Sequence, residues 1–338
     1  MKLYEFRETS GIDSLMLVER ETPKPGPGEV LVRVRAVSLN YRDLLIAQGR
    51  YQRGLKLPLV PISDGAGDIV EAGAGVTRVK KGDRVAGIFI QSWLGGEVSP
   101  LTPRAVLGGS VDGMLAEYVV LPQEGVVHIP AHLSYEEAAA LPCAAVTAWH
   151  ALTTWSLRPG VSVLVQGTGG VSVFALQFAK LAGARVIVTS GSDEKLQKAS
   201  AMGAADLINY RTTPDWDQKV IERTGGIGVD HIVEVGGAGT LARSMNAVRV
   251  GGRISMIGLL TGAEGTVSPM PILGKQIQVQ GIFVGPRDMF EAMNRAITLH
   301  QLHPVVDRIF AFPEAHEALR HLQSGAHYGK VIIRVACP

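Results

Sequence analysis

The sequence predicts an α/β chain, with a doubly wound parallel sheet in its middle and a β-rich portion ahead of it. Three observations predict this class. The run Val161, Ser162, Val163, Leu164, Val165 has the character of a strand buried on both faces. It leads through the glycine turn Gly167-Thr168-Gly169-Gly170 into Val171, Phe174, Ala175, Phe178, Ala179 and Ala182, which recur at helical spacing. The first 125 or so residues instead read as short strands separated by Gly, Pro and Asp turns.

Taken in order, Val30 to Val37 alternates as a half-buried strand does, and Ala66 to Ala72, Arg84 to Phe89 and Ala116 to Leu121 follow it. The turns between them are Pro25-Gly26-Pro27-Gly28 and Lys81-Gly82-Asp83-Arg84. Residues 91 to 110 are rich in Gly and Pro without clear periodicity and are expected to form a surface loop. At Ser134 the pattern changes. Ser134 and Glu137 make a capping box before an Ala-rich helix, Pro142 interrupts, and a helix from about Ala144 to Thr154 precedes the Val161 to Val165 strand. Gly183 stops the next helix, and Arg185 to Thr189 completes a βαβ unit of the length a right-handed crossover needs. Further strands are expected at Asp206 to Tyr210, Val229 to Val235, Arg253 to Gly258 and Ile277 to Val284, six in all. A helix over about Gly239 to Val248 separates two of them, and another runs from Arg287 to His300. A final strand from Lys330 to Val335 is expected to return to the first domain. The expected domains are 1–126, 127–286 and the return segment 287–338.

Composition excludes several classes. The chain has 338 residues and 46% hydrophobic content, enough for two domains with proper cores. Lys+Arg 33 against Asp+Glu 31 leaves a net charge of +2 with the signs interspersed, so nucleic acid is not an expected partner. Lys2, Glu5, Arg7 and Glu8 argue against a secretory signal at the start, and no uncharged apolar run has the length of a membrane span. Cys143 and Cys337 are too few for a disulfide framework, which points to a reducing, cytoplasmic setting.

The glycine turn is where the chemistry begins. Glycines between a buried strand and a helix let backbone N–H groups approach an anion, and the helix dipole favours it there. Gly167 and Gly169 match the G-x-G-x-x-G pattern, while Ser172 holds its third position. The plain alternative is a turn that binds nothing. In sites that bind a free ribose 2′-hydroxyl, an acid ends the second strand. Spacing from Gly167 puts Ser190, Gly191 and Ser192 at that place, although Asp193 and Glu194 follow at a helix start.

Along nearly its whole length the sequence resembles the medium-chain dehydrogenase/reductase superfamily, in its zinc-free, quinone-oxidoreductase-like branch. The resemblance rests on Gly28 to Val34, Asn40-Tyr41-Arg42-Asp43, Asp64-Gly65-Ala66-Gly67, Val79 to Val85, Glu137 to Ala148 and the glycine turn. It implies a Rossmann domain beside a GroES-like β-rich catalytic domain. It also implies a homodimer joined along Ile277 to Val284, an edge that closure would hide.

The resemblance further implies how the site is built. Where alcohol dehydrogenases of the superfamily hold a catalytic zinc, this chain has Asn40, then Ser63-Asp64, and only Cys143 as a thiol. A catalytic zinc takes three protein ligands and a water, so no metal is expected. Hydride transfer from NADPH to a small, electron-poor acceptor remains, a quinone or an activated alkene or carbonyl. An enoyl-thioester reductase, a zinc-type alcohol dehydrogenase and a non-catalytic NADPH-binding protein are the alternatives. Asn40 and Asp43 would line the nicotinamide end, with Asp43 equally suited to capping a helix. Tyr51 would donate a proton or simply pack. Cys143 also suits a small buried hydrophobe. Gly167, Thr168, Gly169 and Gly170 would hold the pyrophosphate, and Thr147 and Val171 would flank the nicotinamide. Ser190, Lys195 and Tyr210 would meet a 2′-phosphate. Backbone at Leu259, Ile282 and Val284 would hold the carboxamide, and Lys330 would reach the phosphates.

Overall fold

The computed structural model describes residues 1–51, 55–99, 105–155 and 157–335. Cys337 lies outside them. The described chain forms two compact units, residues 1–146 with 285–338, and residues 147–284.

The first unit opens with β1 (Lys2–Phe6) and β2 (Leu15–Glu19), an antiparallel pair. β3 (Glu29–Ser38), β4 (Asp64–Ala72), β5 (Arg84–Gly87), β6 (Tyr118–Pro122) and β7 (Val126–His128) follow. β3 is the spine, pairing antiparallel with both β4 and β6. Val30, Val32 and Val34 point into the core while Arg33 and Arg35 are left half-buried, as period-two alternation requires. The β3–β4 register shifts between Val34 and Ala36. Gly67 sits beside that shift, and a Cβ there would stand 2.0 Å from Arg33 O. Only glycine permits so close an approach.

The second unit is a six-stranded parallel sheet. Its strands are β8 (Ser162–Gln166), β9 (Arg185–Ser190), β10 (Asp206–Asn209), β11 (Val229–Glu234), β12 (Val248–Met256) and β13 (Gln278–Gly281). They lie in the order β10-β9-β8-β11-β12-β13. This is the doubly wound order, and the direction of winding reverses between β8 and β11. Leu164, Ile187, Ile232, Val248 and Ile254 fill its core. The edge strand β13 is shorter than the Ile277 to Val284 run suggested. It ends at Gly281, and Val284, three residues on, takes a left-handed φ of 55°.

The chain then returns to the first unit with β14 (Val306–Ala311) and β15 (Lys330–Arg334). β15 pairs with β3, setting Ile332 against Ser38. The sheet order there is β14-β15-β3-β4-β5-β7.

Two expectations need correction. Residues 127–146 belong with the first unit, because the helix Tyr135–Ala139 packs on β3 and β4. Tyr135 Oη donates to Asp68, and Arg334 Nε lies 2.7 Å from Glu136. The 91–110 segment is not a surface loop throughout. Gln91, Trp93, Val106 and Leu107 are buried, with Gln91 Nε2 donating to Ile88 O at 2.6 Å. Residues 100–104 of that segment lie outside the described residues. Among the described residues, no helix is long and apolar enough to cross a membrane.

Candidate functional site

In the first unit, strand register gathers polar residues that are far apart in sequence. Asn40 follows β3 and caps the helix Tyr41–Ala47, its N–H donating to Asp43 Oδ2 at 2.7 Å. Asp43 is therefore the third residue of that helix, closing back on its start. Lys330 opens β15 and is brought to Asn40 by the β15–β3 pairing. Its Nζ donates to Leu39 O and to Asn40 Oδ1, both at 2.6 Å. Lys330, expected at the phosphates, is thus buried and has two donors committed here.

An ammonium can only donate, so Asn40 must turn its oxygen to Lys330. Asn40 Nδ2 is left as a buried donor with no hydrogen bond to the described residues. Asp64 begins β4 opposite Ser38. Its two oxygens accept from Ser63 Oγ at 2.6 Å and Cys143 N–H at 3.0 Å. Ile62, immediately before this pair, has a φ of 70°, costly for a β-branched residue. Cys143 lies on a single π-helical turn, Leu141–Ala145. It is intermediate in exposure rather than wholly buried. Desolvation, and then the Asp64 carboxylate, push its thiol well above the ordinary value.

Asp43 is raised to about 6, first by burial and further by Asp64, against the opposing pull of Arg42, the Asn40 N–H and Lys330. Arg42 is itself buried. Its guanidinium donates to Leu107 O at 3.1 Å and Gly108 O at 3.2 Å, and stands 3.8 Å from Asp43 Oδ1. The ring centroids of Tyr51 and Phe89 are 4.7 and 4.9 Å from it. Tyr51 thus packs its face on a cation, the packing alternative of the sequence reading.

In the second unit the glycine turn sits at the carboxyl end of β8, beside the reversal of winding. Gly167 has a φ of 72°, and its N–H donates to Thr189 O at 2.7 Å. Ser172 Oγ donates to Gln166 O at 2.6 Å, so the serine in the third glycine position satisfies the end of the strand. Gly169 caps the helix Gly170–Leu181 without a side chain, and a Cβ built on it meets nothing within 4 Å. There is open space before amides that a pyrophosphate would satisfy. Thr168 and Thr147 are buried, and Gly170 and Val171 are half-buried.

Of the other expected positions, Ser190 ends β9 and is buried, its Oγ accepting from Ser192 N–H at 3.3 Å. Ser192 caps the next helix through Lys195 N–H at 3.4 Å. Tyr210 directly follows β10, its N–H donating to Ser190 O at 3.1 Å. Ile282 N–H donates to Met256 O at 2.9 Å, and Val284 O accepts from His150 Nδ1 at 2.5 Å. Leu259 is exposed, with its carbonyl accepting from Gly262 N–H at 3.0 Å.

Sequence reasoning missed Glu234, which ends β11 and is fully buried. Its Oε1 accepts from Gly236 N–H at 2.7 Å, Gly237 N–H at 3.1 Å and Thr240 Oγ1 at 2.6 Å. Its Oε2 accepts from Gln166 Nε2 at 2.7 Å and from Ser244 Oγ. The two strand ends at the winding reversal are joined through this side chain. An acid inside an apolar run, followed by Gly236-Gly237, was the available signal.

The parallel sheet, the glycine cradle at its reversal and a separate β-rich unit with a buried polar cluster define a two-unit nucleotide-dependent oxidoreductase. Residues 26–131 match the alcohol dehydrogenase GroES-like domain and 170–298 the zinc-binding dehydrogenase family. A zinc-type alcohol dehydrogenase-like protein of Schizosaccharomyces pombe is 47% identical over 97% of each chain. A solved NAD-dependent alcohol dehydrogenase superposes with a TM-score of 0.92 at 36% identity, covering 99% of this chain and 100% of that one. The Escherichia coli quinone oxidoreductase complexed with NADPH gives 0.85 at 25%, with the same coverage. The chain belongs to the medium-chain dehydrogenase/reductase superfamily and is an NAD(P)-dependent oxidoreductase of that family.

Proposed function

We propose that this protein reduces a small electron-poor acceptor, a quinone or an activated alkene or carbonyl, with NADPH and without a metal. The observation that carries the reading is the Asn40 amide, whose oxygen is held by Lys330 while Nδ2 stays an uncommitted buried donor. A fixed N–H suits an acceptor oxygen on which negative charge grows during reduction. When bound, the cofactor supplies a hydride. Asn40 then steadies the acceptor oxygen, Lys330 keeps Asn40 in place, and Asp43, raised to about 6, takes up a proton as pH falls toward that value.

The donor set supports metal independence. Both Asp64 oxygens already accept hydrogen bonds, and among the described residues no group of three His, Cys, Asp or Glu side chains is placed to hold a metal ion. The Lys330 ammonium adds a fixed positive charge to the same cluster. These residues do not fit a catalytic zinc. The zinc-type alcohol dehydrogenase reading is favoured by the names of the matched family and the yeast relative. One set of assays separates the readings. NADPH oxidation is expected with quinones or enones, unchanged by chelators, with zinc well below one per chain. Asn40→Ala is expected to lower kcat about a hundredfold, the cost typical of a lost oxyanion donor. One tightly held zinc whose removal abolishes turnover would establish the alcohol dehydrogenase reading instead. Preference for enoyl thioesters would move the acceptor class.

We also infer a homodimer formed along the free edge of β13. Val279 is exposed there, on a strand paired on one side only, and Phe283 is exposed just beyond its end. Sedimentation at micromolar concentration is expected to give a dimer, and Val279→Lys a monomer. A monomeric native protein would refute this.

A further inference from the structure

We propose that Glu234 makes three backbone segments at the carboxyl end of the parallel sheet open and close as one unit. They are the turn after β8 (167–169), the loop after β11 (235–237) and the segment after β12 (257–262). A ligand held by the first is thereby felt at the third. The inference rests on the nucleotide reading of the glycine turn, and on neither the acceptor nor the choice between NADPH and NADH. Leu259, expected at the nicotinamide carboxamide, belongs to the third segment.

The two oxygens of Glu234 serve different segments. Oε2 accepts from Gln166 Nε2 at 2.7 Å, and Gln166 Oε1 in return accepts from Val235 N–H at 3.3 Å. Gln166 immediately precedes Gly167, and its carbonyl accepts from Ser172 Oγ at 2.6 Å, so it governs both the turn and the helix start. Oε1 accepts from the Gly236 and Gly237 amides. From there the link runs through backbone. Gly236 O accepts from Thr261 N–H at 2.7 Å and from Thr261 Oγ1 at 2.9 Å, and that hydroxyl accepts from Gly239 N–H at 2.9 Å. Gly262 O accepts from Ala238 N–H at 3.1 Å. A Cβ on Gly237 would stand 2.7 Å from Gly262 O, and one on Gly258 2.4 Å from Val235 O. The second and third segments thus press bare backbone on bare backbone, with no side chain between them to absorb a shift. Pulling any segment away takes donors from a buried carboxylate, which costs more than breaking a neutral hydrogen bond, so the three open together.

Amide hydrogen exchange with and without ADP tests this, without turnover. ADP carries the pyrophosphate and lacks the nicotinamide half. At about a hundred times its Kd, a ligand suppresses any opening that releases it by up to about a hundredfold. In the native protein the amides of 167–171 and those of Leu260 and Thr261 are expected to slow together, by about tenfold or more. In Glu234→Gln, at the same multiple of its own Kd, 167–171 should still slow while the effect at Leu260 and Thr261 falls below about twofold. Thr261→Val leaves Glu234 intact, alters an exposed side chain and removes its two links, so the effect at Leu260 should fall about threefold. Should Glu234→Gln not fold, the native protein and Thr261→Val carry the test. Native slowing confined to 167–171 overturns the coupling and leaves the nucleotide reading standing. A residue that only stabilised the fold would speed exchange with and without ADP alike in Glu234→Gln. The ADP effect would then persist at both places, and that result overturns the proposal, as does an unchanged effect at Leu260 in Thr261→Val. No slowing anywhere overturns the nucleotide reading of the turn and this inference with it.

Discussion

Glu234→Ala is expected to remove about 4 kcal/mol of stability, a large share of the roughly 5–15 kcal/mol that a domain possesses. The side chain is fully buried and accepts five hydrogen bonds, three on Oε1 and two on Oε2. Every partner is a donor, so alanine leaves all five without their acceptor. The Thr240 and Ser244 hydroxyls can rotate to other acceptors, and Thr240 already has Gly237 O at 3.3 Å. Gln166 Nε2 keeps Ser244 Oγ at 2.7 Å, whereas the Gly236 and Gly237 amides are less free. Orphaned buried donors cost about 1–3 kcal/mol each, and these two amides give the expected size. Glu234→Gln keeps the shape but turns one acceptor into a donor, so about half the loss is expected. Urea unfolding with an unchanged m-value measures both variants. A loss below about 1 kcal/mol in Glu234→Ala would mean that water takes over the carboxylate's role.

Arg42→Met should cost about 3 kcal/mol, and the cost should depend on pH. Methionine fills the space between Tyr51 and Phe89, so the loss isolates charge and hydrogen bonding rather than a cavity. The Leu107 and Gly108 carbonyls lose their donors, and two rings lose a cation. Asp43 meanwhile loses the charge that most strongly favours its ionised form. Its folded value, about 6, lies above its unfolded one. Asp43 therefore adds stability in acid, fully present below the unfolded value and lost as pH rises through about 6. Without Arg42 the folded value moves higher, and stability continues to fall beyond that point. The penalty is thus expected to be larger at pH 8 than at pH 5 by urea unfolding. Equal penalties at both would show that Arg42 acts by packing and hydrogen bonding alone.

Neighbouring residues carry their own instructions where the interaction is local. The β8 strand, its glycine turn and the following helix were legible because a buried parallel strand, a left-handed Gly167 and a helical apolar stripe each depend on residues a few positions apart. The Ser134–Glu137 capping box is of the same kind. The end of the β13 strand at Gly281 was not legible, because the apolar run continues through Ile282, Phe283 and Val284 beyond it.

The sequence by itself therefore determined the class of fold, the order of its strands along the chain and the place of the glycine turn between β8 and its helix. What the tertiary structure decided is which distant groups share an environment. Asn40 and Lys330 meet because β15 lies against β3, and Glu234 reaches Gln166 because β11 lies against β8. Burial set the remaining chemistry. Asp43 has its raised value, and Asn40 its uncommitted amide, because folding removes water from groups that a sequence shows only as polar letters.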